Sequence, residues 1–187
     1  FGSDTTVGQN KKLNDILISG GTLTANTDVR ANTVTVGSNN NVAFNVGADK
    51  TIEAAVTIAN NSTLTVNNNS VIDGVINGEA NNEGRLAISN NSAFSASAAI
   101  GQGTSLSLIA VGKNATFNTG AYNINSSSIS AASGSEFNLG NNTVSGNVAL
   151  TGATMNFSNS DNIVIGNVLS NGGSTLDLGV GKHTVDG

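Results

Sequence analysis

The chain has 187 residues, a formal net charge of −5, 31 Asn, 23 Gly and no Pro, Cys or Trp. Seven basic residues scattered along an acidic chain exclude a nucleic-acid partner, which needs clustered Lys and Arg, and the missing Cys excludes disulfides and thiolate metal sites. No apolar run approaches the roughly 18 residues of a membrane helix. With 37% hydrophobic residues in regular alternation, a disordered chain is also excluded.

Residues 1–12 read as a flank, with Phe1-Gly2-Ser3 as a processing or cloning remnant and no signal peptide. From residue 13 to residue 187 one unit recurs. A short strand such as Val34-Thr35-Val36, Val56-Thr57-Ile58, Leu86-Ala87-Ile88 or Val148-Ala149-Leu150 leads into a polar corner. The corners include Ala59-Asn60-Asn61-Ser62, Ser89-Asn90-Asn91-Ser92 and Gly112-Lys113-Asn114-Ala115. Asn and Gly tolerate left-handed backbone angles and suit a repeated sharp bend. A second strand follows, with an apolar residue and usually another two positions on. Period-two alternation places both on one face. A third strand, as in Val29-Arg30-Ala31-Asn32-Thr33-Val34 or Ile52-Glu53-Ala54-Ala55-Val56, runs into the next unit.

The opening apolar residues of the second strands are Leu23, Phe44, Leu64, Phe94, Phe117, Phe137, Met155 and Leu176. Their intervals are similar, apart from one longer step between Leu64 and Phe94. A degenerate period that starts at roughly 20 residues marks a solenoid. The pattern predicts an all-β parallel β-helix of about eight coils, with these residues as one inner ladder. Asn45, Asn118, Asn138, Asn156 and Asp177 are expected as an outward polar row. An antiparallel sandwich is the competing architecture. Val185-Asp186-Gly187 looks like the start of another strand, so the chain is expected to be a fragment of a longer array.

The long interval from Leu64 to Phe94 is the irregularity. Its excess is expected to bulge out near residues 77–85, which makes Asn77, Glu79, Asn81, Asn82, Glu83 and Arg85 the candidate partner-binding residues, since insertions often carry binding in solenoids.

Chemistry has few carriers. His183 is the sole histidine and is expected at the surface; one His without Cys cannot build a zinc site. Arg30, Glu53 and Asp73 fall at equivalent outward positions of three successive coils, about 4.8 Å apart per step. Two carboxylates beside an Arg could do acid–base work on a polysaccharide or hold a cation; the plainer expectation is a solvated ion pair. Thr22-Leu23-Thr24 and Thr63-Leu64-Thr65 fit an ice-binding ladder, but six of the eight coils break it. No cofactor motif of the dinucleotide, phosphate-loop or calcium-repeat type occurs.

The units from Val56-Thr57-Ile58-Ala59-Asn60-Asn61-Ser62-Thr63-Leu64-Thr65-Val66 and Asn142-Thr143-Val144-Ser145-Gly146-Asn147-Val148-Ala149-Leu150-Thr151-Gly152 resemble autotransporter passenger domains. Their Asn-rich texture is most similar to the rickettsial surface cell antigens. The resemblance implies a right-handed β-helix at the bacterial cell surface or secreted, without enzymatic activity or cofactor. It implies adhesion to a host-cell protein or glycan, a β-barrel translocator elsewhere in the full-length protein, and no membrane insertion by this segment. The serine-protease passengers of that class carry a Gly-Asp-Ser-Gly motif, which this chain lacks. A polysaccharide-acting β-helix enzyme using Glu53 and Asp73 is the alternative, and homophilic association between rods is a third.

Overall fold

A computed structural model of the chain describes residues 6–38, 41–157 and 161–187; Phe1-Gly2-Ser3 lies outside them. Among the described residues there is no helix, and every strand pairing is parallel. Three faces follow one another along the chain, and each coil stacks on the last. The result is a parallel β-solenoid of about eight turns, about 40 Å long at the usual inter-strand spacing. Asn- and Gly-rich corners and β-branched alternation select this fold, because every strand needs the next coil to satisfy its backbone groups.

Each face has its own inner apolar column. Face one stacks Val7, Val29, Ile52 and Ile72, and later Phe94, Phe117, Phe137, Met155 and Leu176. Face two stacks Ile16, Val34, Val56, Ile76, Ile100, Ile124, Val144, Val164 and Val185. Face three stacks Leu23, Phe44, Leu64, Leu86, Ile109, Ile129, Val148 and Val168. The stacking reaches back to Val7, ahead of the boundary expected at residue 13.

The eight spaced residues are therefore not one ladder. Leu23, Phe44 and Leu64 belong to face three, whereas Phe94, Phe117, Phe137, Met155 and Leu176 belong to face one. Leu64 stacks on Leu86, one ordinary coil later. The longer interval to Phe94 is that coil plus the passage to the next face. The sequence motif has slipped by one side of the solenoid, and no oversized loop is needed.

The slip changes which corner is smooth. Before it, one bent strand covers faces one and two, as in Val29–Val36 and Thr51–Ile58, with a register shift between Arg30 and Thr33. After it, one bent strand covers faces two and three, as in Ile124–Ala131 and Thr143–Thr151, with the shift between Asn125 and Ser128. In the slip coil the face-one strand stops at Ile72, and the chain crosses to Ile76 through Asp73-Gly74-Val75. A Cβ on Gly74 would collide with the Ala54 carbonyl, so only glycine lets the backbone pass so close. Face one is stitched across the slip by Asn69 N–H to the Ala93 carbonyl (3.2 Å), by Ala93 N–H to Asn68 Oδ1 (3.2 Å) and by the Ser97 hydroxyl to the Ile72 carbonyl.

The core is continuous through this point: Leu64, Ile72, Ile76, Leu86, Phe94 and Ile100 are all buried. Beyond the slip, the rings of Phe94, Phe117 and Phe137 stack with centroids 5.9 and 5.4 Å apart. Removing one such buried ring would cost about 3–5 kcal/mol.

Candidate functional surfaces

The corners carry most of the polar order. At Ala59–Ser62, Asn67–Ser70, Gly112–Ala115 and Ala132–Ser135, the fourth residue donates its N–H to the first carbonyl at 3.0–3.1 Å. The third residue has positive φ: Asn61 (56°), Asn69 (54°), Asn114 (54°) and Gly134 (72°). A second device spans the coils. Asx side chains accept backbone N–H groups of the next coil: Asp28 from Thr51 (2.9 Å), Asn90 from Lys113 (2.8 Å), Asn123 from Thr143 (3.0 Å) and Asn147 from Asn167 (3.1 Å). These donors sit where a corner leaves an N–H without a backbone acceptor, and an Asx oxygen has the reach to supply one.

The expected outward row exists on face one after the slip. Asn118 Nδ2 donates to Ser95 Oγ (3.1 Å), Asn138 Nδ2 to Asn118 Oδ1 (2.8 Å) and Asn156 Nδ2 to Asn138 Oδ1 (2.6 Å). Asp177 follows in register. Asn45 is not part of it; it lies on face three between Thr24 and Thr65. The two Thr-x-Thr rungs share that face, separated by Ala43 and Asn45 and followed by Arg85 and Ala87, so the Thr ladder stays interrupted.

The segment 77–85 is no bulge. Asn77 lies in the strand Ile76–Gly78, in register with Thr57, and Glu83 and Arg85 lie in the strand Glu83–Ile88. Only 79–82 turn between them. Most of the expected binding side chains are engaged in holding this corner. Asn77 Oδ1 accepts from Gly103 N–H (3.2 Å), Asn81 Oδ1 from Ser105 N–H (3.1 Å), and Asn82 Oδ1 from the Ser105 and Ser127 hydroxyls (3.0 and 2.5 Å). Glu83 Oε2 accepts Ala80 N–H at 3.2 Å. Glu79 and Arg85 remain as exposed charges on this corner.

Arg30 and Glu53 meet as the alignment expects. Arg30 Nε donates to Glu53 Oε2 at 2.7 Å, and Arg30 also donates to the Gln9 carbonyl at 3.2 Å. Lys12 Nζ closes on the other oxygen, Oε1, at 3.3 Å. The Arg30 hydrogen bond, then that of Lys12, holds the Glu53 carboxyl below the usual carboxylate range. Asp73, exposed in the next coil, takes part in neither ion pair. A cleft of about 350 Å³ beside the cluster is lined by Thr6, Gln9, Asp28, Arg30, Thr51 and Glu53 among others. A carboxylate held ionised between two cations is poorly suited to giving up a proton as a general acid.

His183 is half-buried rather than fully at the surface. It pairs in register with buried Asn162, its ring lies 5.0 Å from that of Phe157, and both ring nitrogens are shielded with no hydrogen-bond partner among the described residues. Among the described residues no group of three or more His, Cys, Asp or Glu is placed to hold a metal ion.

Lys12 and the inter-coil Asx caps are the features that the sequence reading missed. Lys12 lies in the flank, outside the repeat alignment. The caps are visible in sequence only as an Asx about one coil before a corner. Comparison with protein-family models, curated proteins and solved structures finds no match for this chain.

Proposed function

We propose that this chain is a passenger segment of an autotransporter that works at the bacterial cell surface as an adhesin or rigid spacer in host-cell attachment. The observation that carries the reading is the continuity of the inner columns of faces two and three over about eight turns, with face one interrupted after Ile72 and resumed from Phe94 where the motif changes face. Each coil serves as template for the next, so the rod gains stiffness by simple addition. Such stacking also suits export, because a chain that emerges end first can fold coil by coil onto what has already folded. The Asn-rich repeat texture supplies the resemblance to autotransporter passengers. Partner contact falls to the flat outward rows, such as Asn118, Asn138 and Asn156, and to the exposed charges Glu79 and Arg85.

The test is adhesion. Beads coated with the folded chain are expected to bind host cells above the level of uncoated beads, and cells treated with protease or glycosidase separate a protein receptor from a glycan. Binding at the uncoated level removes the adhesin role and leaves the spacer. A full-length gene that encodes no outer-membrane barrel would overturn the export reading altogether.

A further inference from the structure

We propose that Asn171 is a site of covalent self-modification, deamidating through a succinimide to aspartate and isoaspartate. This rests on corner geometry alone and is independent of the function proposed above. The chain has two Asn-Gly pairs, Asn77-Gly78 and Asn171-Gly172. Succinimide formation needs the N–H of the following residue to be free as a nucleophile and the Asn side chain free to approach it. Glycine in that position offers the least steric hindrance.

The two pairs differ in every relevant respect. Gly78 is buried at the end of a paired strand, and its N–H donates to the Thr104 carbonyl at 3.1 Å. The Asn77 side chain is held as well, through its bond from Gly103 N–H. Asn171, by contrast, is exposed and opens a turn: its carbonyl accepts Ser174 N–H (3.3 Å) and Ser174 Oγ (2.5 Å). Gly172 and Gly173 follow, both exposed, with φ of 64° and 76°. The Gly172 N–H makes no hydrogen bond to another described residue.

The reason lies in the coil below. At Lys113, the equivalent second position of an earlier turn, Asn90 Oδ1 caps the N–H. Around Gly172 lie Gly152, which has no side chain, and Thr151, which turns its methyl toward this corner, and no side chain of a described residue accepts the Gly172 N–H. Asn67 also holds the first position of its turn, but Asn68 rather than glycine follows it and its Nδ2 is held by the Val46 carbonyl at 2.6 Å; three other corner asparagines are protected differently. Asn61, Asn69 and Asn114 hold the third turn position, so the N–H that follows each is spent across the turn, on Ala59, Asn67 and Gly112. Asn171 holds the first position, and the N–H after it takes no part in the turn's own bond.

The chemistry is complete with water alone. The Gly172 nitrogen bonds to Asn171 Cγ, the Cγ–Nδ2 bond breaks, and ammonia leaves carrying the Gly172 proton. Water then opens the five-membered imide at either carbonyl, giving aspartate or isoaspartate. Either product adds a carboxylate to this corner. The isoaspartate also adds a carbon to the backbone, at a residue whose carbonyl binds Gly152 N–H at 3.0 Å in the coil beneath.

The experiment incubates the folded chain at neutral to mildly alkaline pH and maps deamidation and isoaspartate by peptide mass spectrometry, with a parallel sample in denaturant. In the folded chain Asn171 is expected to react at least about tenfold faster than Asn77, because local order must open before Asn77 can react. In denaturant the two rates converge, and Asn171→Gln abolishes the signal at that corner. Equal rates in the folded chain overturn the proposal. So does an Asn171 that stays intact when folded while both sites react when denatured.

Discussion

Leu64 stacks on Leu86, not on Phe94. That single pairing sets the phase of everything after it. It moves the Phe column from face three to face one and turns an apparent insertion into an ordinary coil.

Engineered disulfides can check the pairing directly, since the chain has no Cys of its own. Thr65 and Ala87 are outward partners in register across the slip. Their Cα atoms should be about 4.8 Å apart, within reach of a disulfide. The Thr65→Cys, Ala87→Cys double variant is expected to cross-link on mild oxidation, as read by gel mobility and mass. Thr65→Cys with Ser95→Cys should stay reduced; preferential cross-linking of that second pair would overturn the slip.

The Asn90 cap on Lys113 has a measurable value. Asn90→Ala leaves that N–H to water at an exposed corner, and a loss of about 0.5–1.5 kcal/mol is expected from denaturant unfolding. Asn90→Asp keeps the acceptor oxygen and should retain most of the stability at neutral pH. Equal losses in the two variants would mean that the cap contributes nothing and that packing of the side chain matters instead.

Glu53 gives the N-terminal coils an acid-sensitive tie. Its folded-state carboxyl titrates below the ordinary value of 4.5, so the unfolded chain takes up the proton first as pH falls. The contribution is fully present above the ordinary carboxylate range and is lost as pH drops through the folded value. Unfolding midpoints measured between neutral pH and pH 3 should fall less steeply for Glu53→Gln than for the parent chain. High salt should narrow the difference, because the pair is partly exposed.

Two glycines should respond oppositely to alanine. Gly74→Ala drives a methyl into the Ala54 carbonyl at the slip, and a destabilisation above about 1 kcal/mol is expected. At Gly20 nothing lies within 4 Å of an added Cβ. Gly20→Ala should therefore be neutral or stabilise by up to about 1 kcal/mol through the unfolded state. Comparable thermal midpoints for the two variants would mean that the close passage at Gly74 carries no strain.

Much of the architecture is legible in the residues. Alternation such as Thr51-Ile52-Glu53-Ala54-Ala55-Val56 states a strand and the face it buries. Asn-Asn-Ser at 60–62 states a corner, because few other residues accept the left-handed angle found at Asn61. The alignment of Arg30 with Glu53 is legible too, since equivalent positions in adjacent coils must be neighbours. The role of Lys12 is not, because it comes from side-chain reach out of the flank. The binding bulge expected at residues 77–85 does not form, because the spacing behind it reflects a change of face. The surface position expected for His183 holds only in part, because register with Asn162, a coil away, turns its ring nitrogens inward and leaves the residue half-buried.

The sequence by itself determined that this chain is a stack of short parallel strands turned by Asn and Gly corners. Those signals are local: a period of two along a strand and a steric tolerance at a bend. Only the tertiary structure decided which side of the solenoid each strand occupies. All three sides offer the same local environment, an apolar interior and a polar exterior, so one motif serves on any of them. What distinguishes them is backbone pairing a full coil away, as between Leu64 and Leu86, and no local pattern records that choice.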